Sequence, residues 1–225
     1  MRFDILTLFP EIVKGPLGES IINKAVSEKI IEINVVNIRD FTDDKHKTAD
    51  DRPFGGGPGM VMKPEPVFKA IESCKTSESK IIIMSPAGGQ LTQEKAKEFV
   101  KSSKHFILVC GHYEGIDHRI NEIYNPELVS IGPYVLTNGA IAAAVFVDVI
   151  SRLKPGVLGN SDSLLDETHE TDETEYPQYT RPRSFKGFDV PEVLLSGNHE
   201  EIEKWKNKNR RKFSTEDVNE HNKCD

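Results

Sequence analysis

Lys80-Ile81-Ile82-Ile83-Met84-Ser85-Pro86-Ala87-Gly88-Gly89 decides the fold. A short, uninterrupted apolar run that stops at proline and glycine reads as a buried strand, ending here at Ser85 and followed by a loop. Phe106-Ile107-Leu108-Val109-Cys110 repeats the pattern and stops at Gly111, and Leu128-Val129-Ser130-Ile131 repeats it before Gly132-Pro133-Tyr134. Working outward, Phe3 to Phe9 reads as a first strand and Ile31 to Val36 as a second. Helical patterns separate them: Ile21 to Val26, a helix starting near Pro66, one capped by Thr92, and the alanine-rich Ala140 to Leu153. In that last helix Ala140, Ala144, Val147 and Ser151 fall near one face. Strands alternating with helices predict an α/β domain with a mostly parallel sheet and helices on both faces. Ligands of such sheets gather at the carboxyl ends of the strands, where Gly88, Gly111 and Gly132 lie. Neither G-x-G-x-x-G nor G-x-x-x-x-G-K-[ST] occurs, which turns the reading away from the common nucleotide folds.

A second stretch, Asp50-Asp51-Arg52-Pro53-Phe54-Gly55-Gly56-Gly57-Pro58-Gly59, cannot be the middle of a helix or strand. It sits in a polar connection, residues 39 to 60, longer than a plain link needs to be, so it reads as a loop built to meet a polar ligand. Residues 161 to 175 hold seven acidic residues and no Lys or Arg, whereas 204 to 212 hold Lys204, Lys206, Lys208, Arg210, Arg211 and Lys212. Asn198 and Glu201 suit a capping box for a helix with Ile202 and Trp205 on one face. The expected organisation is a sheet domain over 1–158, an acidic linker over 159–175, and a small helical domain over 176–225.

At 225 residues, 37% hydrophobic and 29% charged, the composition is that of a globular protein. No apolar run approaches the roughly 20 residues that span a bilayer, so no membrane partner is expected. Cys74, Cys110 and Cys224 show no metal spacing, and a cytoplasmic protein without structural disulfides is expected. The net charge of −7 argues against nucleic acid taken alone, but the basic clusters could still hold a polyanion locally. His199-Glu200-Glu201-Ile202-Glu203 does not complete H-E-x-x-H, which removes a zinc protease. Cys110 ends an apolar strand with no base placed beside it, which speaks against a nucleophile.

Long ordered blocks then carry a resemblance. They are LTLFPE from Leu6, RDFTDDKHKTADDRPFGGGPGM from Arg39, SPAGG from Ser85, LVCGHYEGIDHR from Leu108 and IGPYVLTNGA from Ile131. SRLKPGVLGN from Ser151, YPQYTRP from Tyr176 and VLLSGNHEEIEKW from Val193 complete them. The chain resembles the bacterial tRNA (guanine-N1)-methyltransferases of the knotted SPOUT superfamily, nearly end to end. The resemblance implies a deep trefoil knot at the carboxyl end of the sheet and an obligate homodimer with shared active sites. It implies transfer of a methyl group from S-adenosyl-L-methionine to N1 of guanosine 37 in tRNAs with G at position 36, with Mg2+ needed for activity and no fixed metal ligands assigned. The alternative is an inactive knotted protein that binds RNA or acts as a scaffold.

By the same resemblance, Pro86, Gly88, Gly111, Glu114, Ile131, Gly132, Pro133, Tyr134, Val135 and Leu136 match cofactor-binding positions. Asp50, Arg52, Gly55, Gly56, Gly57 and Gly59 match the loop that meets the flipped guanosine, and His199 and Lys206 fall among residues expected to touch tRNA. Guanine N1 carries a proton that a carboxylate can remove, while negative charge grows on O6. Arg152 matches the arginine that steadies O6. The family's base is an aspartate before Ser-Phe; counting without gaps from GVLGN to YPQY puts Glu167 there, with Asp166 as the rival and His169 a further option. His112 could be a simple loop donor, and Asp117 with Arg119 a local ion pair. Pro133, Asn138 and Ala140 depart from the usual aspartate, glycine and glutamate.

Overall fold

The computed structural model describes residues 1–159, 168 and 173–211. Its contacts divide the chain into two units, Met1–Gly159 and Asn160–Asp225. The first unit runs β1 (Arg2–Thr7), α1 (Pro10–Leu17), α2 (Ser20–Ser27), β2 (Glu32–Asn37), a 3-10 turn (Ile38–Phe41), β3 (Asp50–Asp51) and β4 (Val61–Met62). It continues through α3 (Pro64–Cys74), β5 (Ser79–Gln90), α4 (Gln93–Ser102), β6 (His105–Cys110), α5 (Arg119–Tyr124), β7 (Glu127–Ser130) and α6 (Gly139–Arg152). Five strands form a sheet in the order β2-β1-β6-β5-β7, and each neighbouring pair is parallel.

Alternation along the strands feeds two cores. Phe106, Leu108 and Cys110 join Phe3, Ile5, Ile82 and Met84 with residues of α1, α2, α4 and α6, whereas Ile107, Val109, Leu6 and Ile83 join residues of α3 and α5. Both faces of the sheet are therefore apolar, which is why the strands read as continuous hydrophobic runs. Phe99, Phe106 and Phe146 meet edge to face, with centroids 5.2, 5.6 and 6.1 Å apart. The helix-face reading of α6 is observed: Ala140, Ala144, Val147 and Ser151 are all buried. Thr92 caps α4, its hydroxyl oxygen accepting from Lys95 N at 3.2 Å. Buried Asp4, at the opposite end of the sheet from the glycine loops, accepts from Arg2 and Asn34 and lies 2.5 Å from His105 Nε2, so its charge is compensated.

The structure departs from the sequence reading at β5. The strand does not stop at Ser85 but runs to Gln90, and its register against β7 slips so that Val129 faces both Met84 and Gly89. Pro86 has no N–H for a ladder, so the chain bulges around it and resumes pairing three residues later. The 39–60 connection also contains order: β3 and β4 pair antiparallel, Asp50 opposite Met62 and Asp51 opposite Val61.

The second unit contains β8 (Ser184–Phe185), β9 (Phe188–Asp189), α7 (Glu192–Leu195) and α8 (His199–Asn209). Asn198 caps α8, accepting from Glu201 N at 3.4 Å. Trp205 lies 6.5 Å from Tyr176 and 6.2 Å from Tyr179, centroid to centroid, and no residue of α7 or α8 is fully buried.

Candidate functional site

The bulge of β5 and the carboxyl ends of β6 and β7 border a cavity of about 350 Å³, within the range of small-ligand sites. Its walls are residues 83–86, 111–116, 128–131 and 134–139, with Asn121 and Ala142. Of the sequence candidates, Pro86, Gly111, Glu114, Ile131, Tyr134, Val135 and Leu136 line it. The β5 bulge presents Pro86, the end of β6 and the loop after it present Gly111 and Glu114, and the loop after β7 supplies the rest.

Gly88, Gly132 and Pro133 stand behind or beside the wall. A Cβ at Gly88 would lie 2.4 Å from the carbonyl carbon of Leu128, so this glycine lets β5 close on β7. A Cβ at Gly132 would meet the Tyr134 ring at 2.3 Å. That ring is held over the loop by its hydroxyl, which donates to Ile131 O at 3.1 Å. Ser130 fixes the same turn, its hydroxyl accepting from Gly132 N at 3.2 Å and donating to Gly132 O at 2.9 Å. Pro133 is exposed at the turn's tip.

The floor is made where α6 begins. Gly139 N donates to Gly111 O at 2.8 Å, and Asn138 caps the helix by accepting from Ala140 N at 2.9 Å. Asn138 also forms a bridge with His112 across the cavity wall. Asn138 before an alanine-rich helix is a capping signal legible in sequence. Sequence reasoning gave it no such role.

His112 is buried, its ring 4.8 Å from that of Phe9, and Nε2 has no hydrogen-bond partner among the described residues. Burial first, and the Arg39 charge second, hold its pKa below the ordinary value. Glu114 is the cavity's one carboxylate among the described residues. Cys110 is fully buried and burial pushes its thiol pKa up, as its reading as a non-nucleophile requires. Asp117 and Arg119 do pair, Nε and Nη2 donating at 2.8 Å each, and this holds the Asp117 carboxyl low.

The candidate base loop lies beside the cavity. Asp50 is partly buried in β3, with Arg39 Nη2 4.0 Å away, and the guanidinium of Arg39 sits 5.7 Å above the Phe9 ring. Arg52, Gly55, Gly56, Gly57 and Gly59 follow in the exposed tip of the β3–β4 hairpin, where Phe54 is fully exposed. Arg152 closes α6 and is half-buried. Asp166, Glu167 and His169 lie outside the described residues. In the second unit His199 opens α8, while Lys206 is engaged by Glu203 at 2.6 Å and stands 5.1 Å above Tyr176.

The model of the family described as tRNA (Guanine-1)-methyltransferase TrmD matches residues 1–220. The chain belongs to this family. A tRNA (guanine-N(1)-)-methyltransferase of Dictyoglomus turgidum is 54% identical over 208 residues, which is 92% of this chain and 84% of that protein. The protein of the same name from Ruminiclostridium cellulolyticum is 55% identical over 209 residues, 92% of this chain and 89% of its own length. A third, from Protochlamydia amoebophila, is 49% identical over 216 residues, 96% and 97% of the two chains. The described candidate residues thus fall into four places: the cavity wall with the glycines behind it, the hairpin beside it, the end of α6 at Arg152, and α8 of the second unit.

Proposed function

We propose that this TrmD-family chain is a tRNA (guanine-N1)-methyltransferase that uses S-adenosyl-L-methionine and modifies guanosine 37 where position 36 is also G. The observation that carries the reading is the family match across residues 1–220, with the cavity lined by seven of the ten residues assigned to the cofactor. The cavity fits the cofactor's chemistry. Apolar Ile83, Ile116, Leu128 and Val129 suit an adenosine, backbone groups of the 131–136 loop can meet its edges, and Glu114 offers a carboxylate to a cationic centre. Bound there, the cofactor supplies the methyl group.

The chain's own residues then deal with the proton and the charge. The linker carboxylate, Glu167 or its neighbour Asp166, removes the hydrogen from guanine N1, and Arg152 steadies the negative charge that shifts to O6. Asp50, Arg52 and the glycines of the hairpin tip receive the flipped base. Exposed backbone at Gly55, Gly56 and Gly57 lets a planar ring approach closely. His199 and Lys206 contribute contacts to the RNA backbone.

Two further parts belong to this reading. The knot belongs to this reading through the family match over residues 1–220. A homodimer is supported by Ile141 and Val145, which leave an apolar stripe of α6 exposed, and by Val135 at the cavity mouth. Among the described residues no group of three or more His, Cys, Asp or Glu is arranged to hold a metal ion, so Mg2+ is given no ligands and no step here.

Methyl incorporation into tRNA transcripts differing only as G36-G37 and A36-G37 tests the assignment, with incorporation expected only into the first. Binding of both without incorporation, Mg2+ present, would replace it with the inactive scaffold. Neutralising the linker acids tests the base: Glu167→Gln or Asp166→Asn should cost about 10²- to 10⁴-fold in kcat for whichever residue takes the proton. Undiminished turnover in the double variant would remove both.

A further inference from the structure

Two loops assigned to different ligands are built into one another. Met62, fully buried in β4, is the seam. Its N–H donates to Gly115 O at 2.9 Å, its carbonyl accepts from Asp117 N at 3.0 Å, and its sulfur accepts from His112 N at 3.3 Å. One residue pair nearer the tip, Met60 O accepts from Glu114 N at 3.0 Å. The hairpin that carries the base-facing glycines is thereby zipped to the 112–117 wall of the cofactor cavity.

At the edge of that seam lies Gly59, with φ at +84°. A Cβ there would stand 2.3 Å from Oε1 of Glu114, 2.6 Å from its Cγ and 2.8 Å from its Cδ. Gly55, Gly56 and Gly57 share the positive φ but have nothing within 4 Å. Only Gly59 among these glycines leaves room for a cavity side chain. Glu114 is exposed and unbranched, so added volume at position 59 would turn its carboxylate aside rather than disrupt the core.

We infer that Gly59 is a positioning residue for Glu114, and that occupancy of the cavity and order of the 59–62 segment are coupled through this contact. The inference rests on the cavity being the cofactor site. Such coupling is reciprocal: whatever holds Glu114 in place steadies the hairpin, and an ordered hairpin favours the carboxylate position that the cofactor meets.

The test uses the full chain and S-adenosyl-L-methionine without RNA, so that loss of base contacts cannot register. Calorimetric titration should show Gly59→Ala binding the cofactor about tenfold more weakly, in the usual range of site coupling. Glu114→Ala should lose a similar factor. The double variant should be no weaker than Glu114→Ala, because the collision has then lost its target. Gly56→Ala meets a similar positive φ, +80°, without the neighbour and should keep wild-type cofactor affinity. Hydrogen exchange supplies a readout that needs no change at position 59: the cofactor should slow exchange across 59–62 in the wild type and not in Glu114→Ala. Wild-type affinity in Gly59→Ala, multiplying losses in the double variant, or an unchanged 59–62 exchange rate on wild-type binding would each overturn the coupling. A wild type that binds no cofactor at all would overturn the cavity assignment, and the coupling with it.

Discussion

Gly88→Ala is the sharpest test of how the cavity is built. The added carbon would lie 2.4 Å from the carbonyl carbon of Leu128, and 2.5 Å from both its oxygen and Val129 N. Normal contact begins about 1 Å farther out, and every offending atom is backbone, so no side chain can swing aside to relieve it. β5 must part from β7 at the point where the register already slips. Overpacking of this kind costs about 1–3 kcal/mol, and backbone-on-backbone contact argues for the upper end. At about 3 kcal/mol a unit of this size should lose roughly 6–12 °C in Tm. Gly89→Ala is the control: the next residue has nothing within 4 Å and no positive φ, so its Tm should move by less than about 2 °C. Thermal melts followed by circular dichroism measure both. Because β7 leads into the 131–136 loop, Gly88→Ala should also weaken S-adenosyl-L-methionine binding in the surviving folded protein. A Gly88→Ala melt within about 1 °C of the wild type, or an equal loss in Gly89→Ala, would refute the close-packing argument.

Two other perturbations address the charged parts of the site. Arg152→Ala should lower kcat by about 10²- to 10³-fold with tRNA KM changed far less, since the guanidinium is asked to act on charge that develops only as N1 reacts; single-turnover kinetics would read this. His112 tests the buried ring. Its folded pKa lies below the ordinary value of 6.5, through burial first and Arg39 second. As pH falls through 6.5 the unfolded chain takes up a proton that the folded chain refuses. Stability present above 6.5 is therefore lost toward the folded pKa, at up to about 1.4 kcal/mol per pH unit. Urea unfolding between pH 7.5 and 5.5 should show that slope reduced in His112→Gln, and equal slopes would remove His112 as its source.

The sheet was legible because its strands are buried on both faces. Continuous runs such as Ile81 to Met84 and Phe106 to Cys110 leave little choice of element, and β6 differs from its expected span by one residue. Legibility failed where pairing, not composition, decides. No local signal tells that Gly89 and Gln90 rejoin β7 after the bulge, because the partner lies forty residues away. The β3–β4 hairpin is two residues a side, below any periodicity, and exists through its contacts with Gly115 and Asp117. The cavity's position at the strand ends followed from fold class, whereas its residue identities came through resemblance. Arg39, Phe9 and Met62 carry no local signal of their own: a cation, an aromatic and a thioether become informative only through the fold that brings them around His112.

Glycine shows why composition could locate the site without explaining it. Gly88 and Gly139 are required because another backbone passes where a side chain would be, the nearest atoms being Leu128 C at 2.4 Å and Cys110 Cα at 3.0 Å. Gly55, Gly56 and Gly57 face open space and are required by their positive φ, which other residues adopt at a cost. The two requirements predict opposite failures: alanine in the first group should lower stability and cavity function together, whereas alanine in the second should act on the loop while the sheet melts as before. Gly59 meets both conditions at once, and its crowding neighbour is a carboxylate of the cavity rather than backbone. A substitution there should therefore spare the fold and be felt across the seam, in the affinity for a ligand that the hairpin itself does not hold.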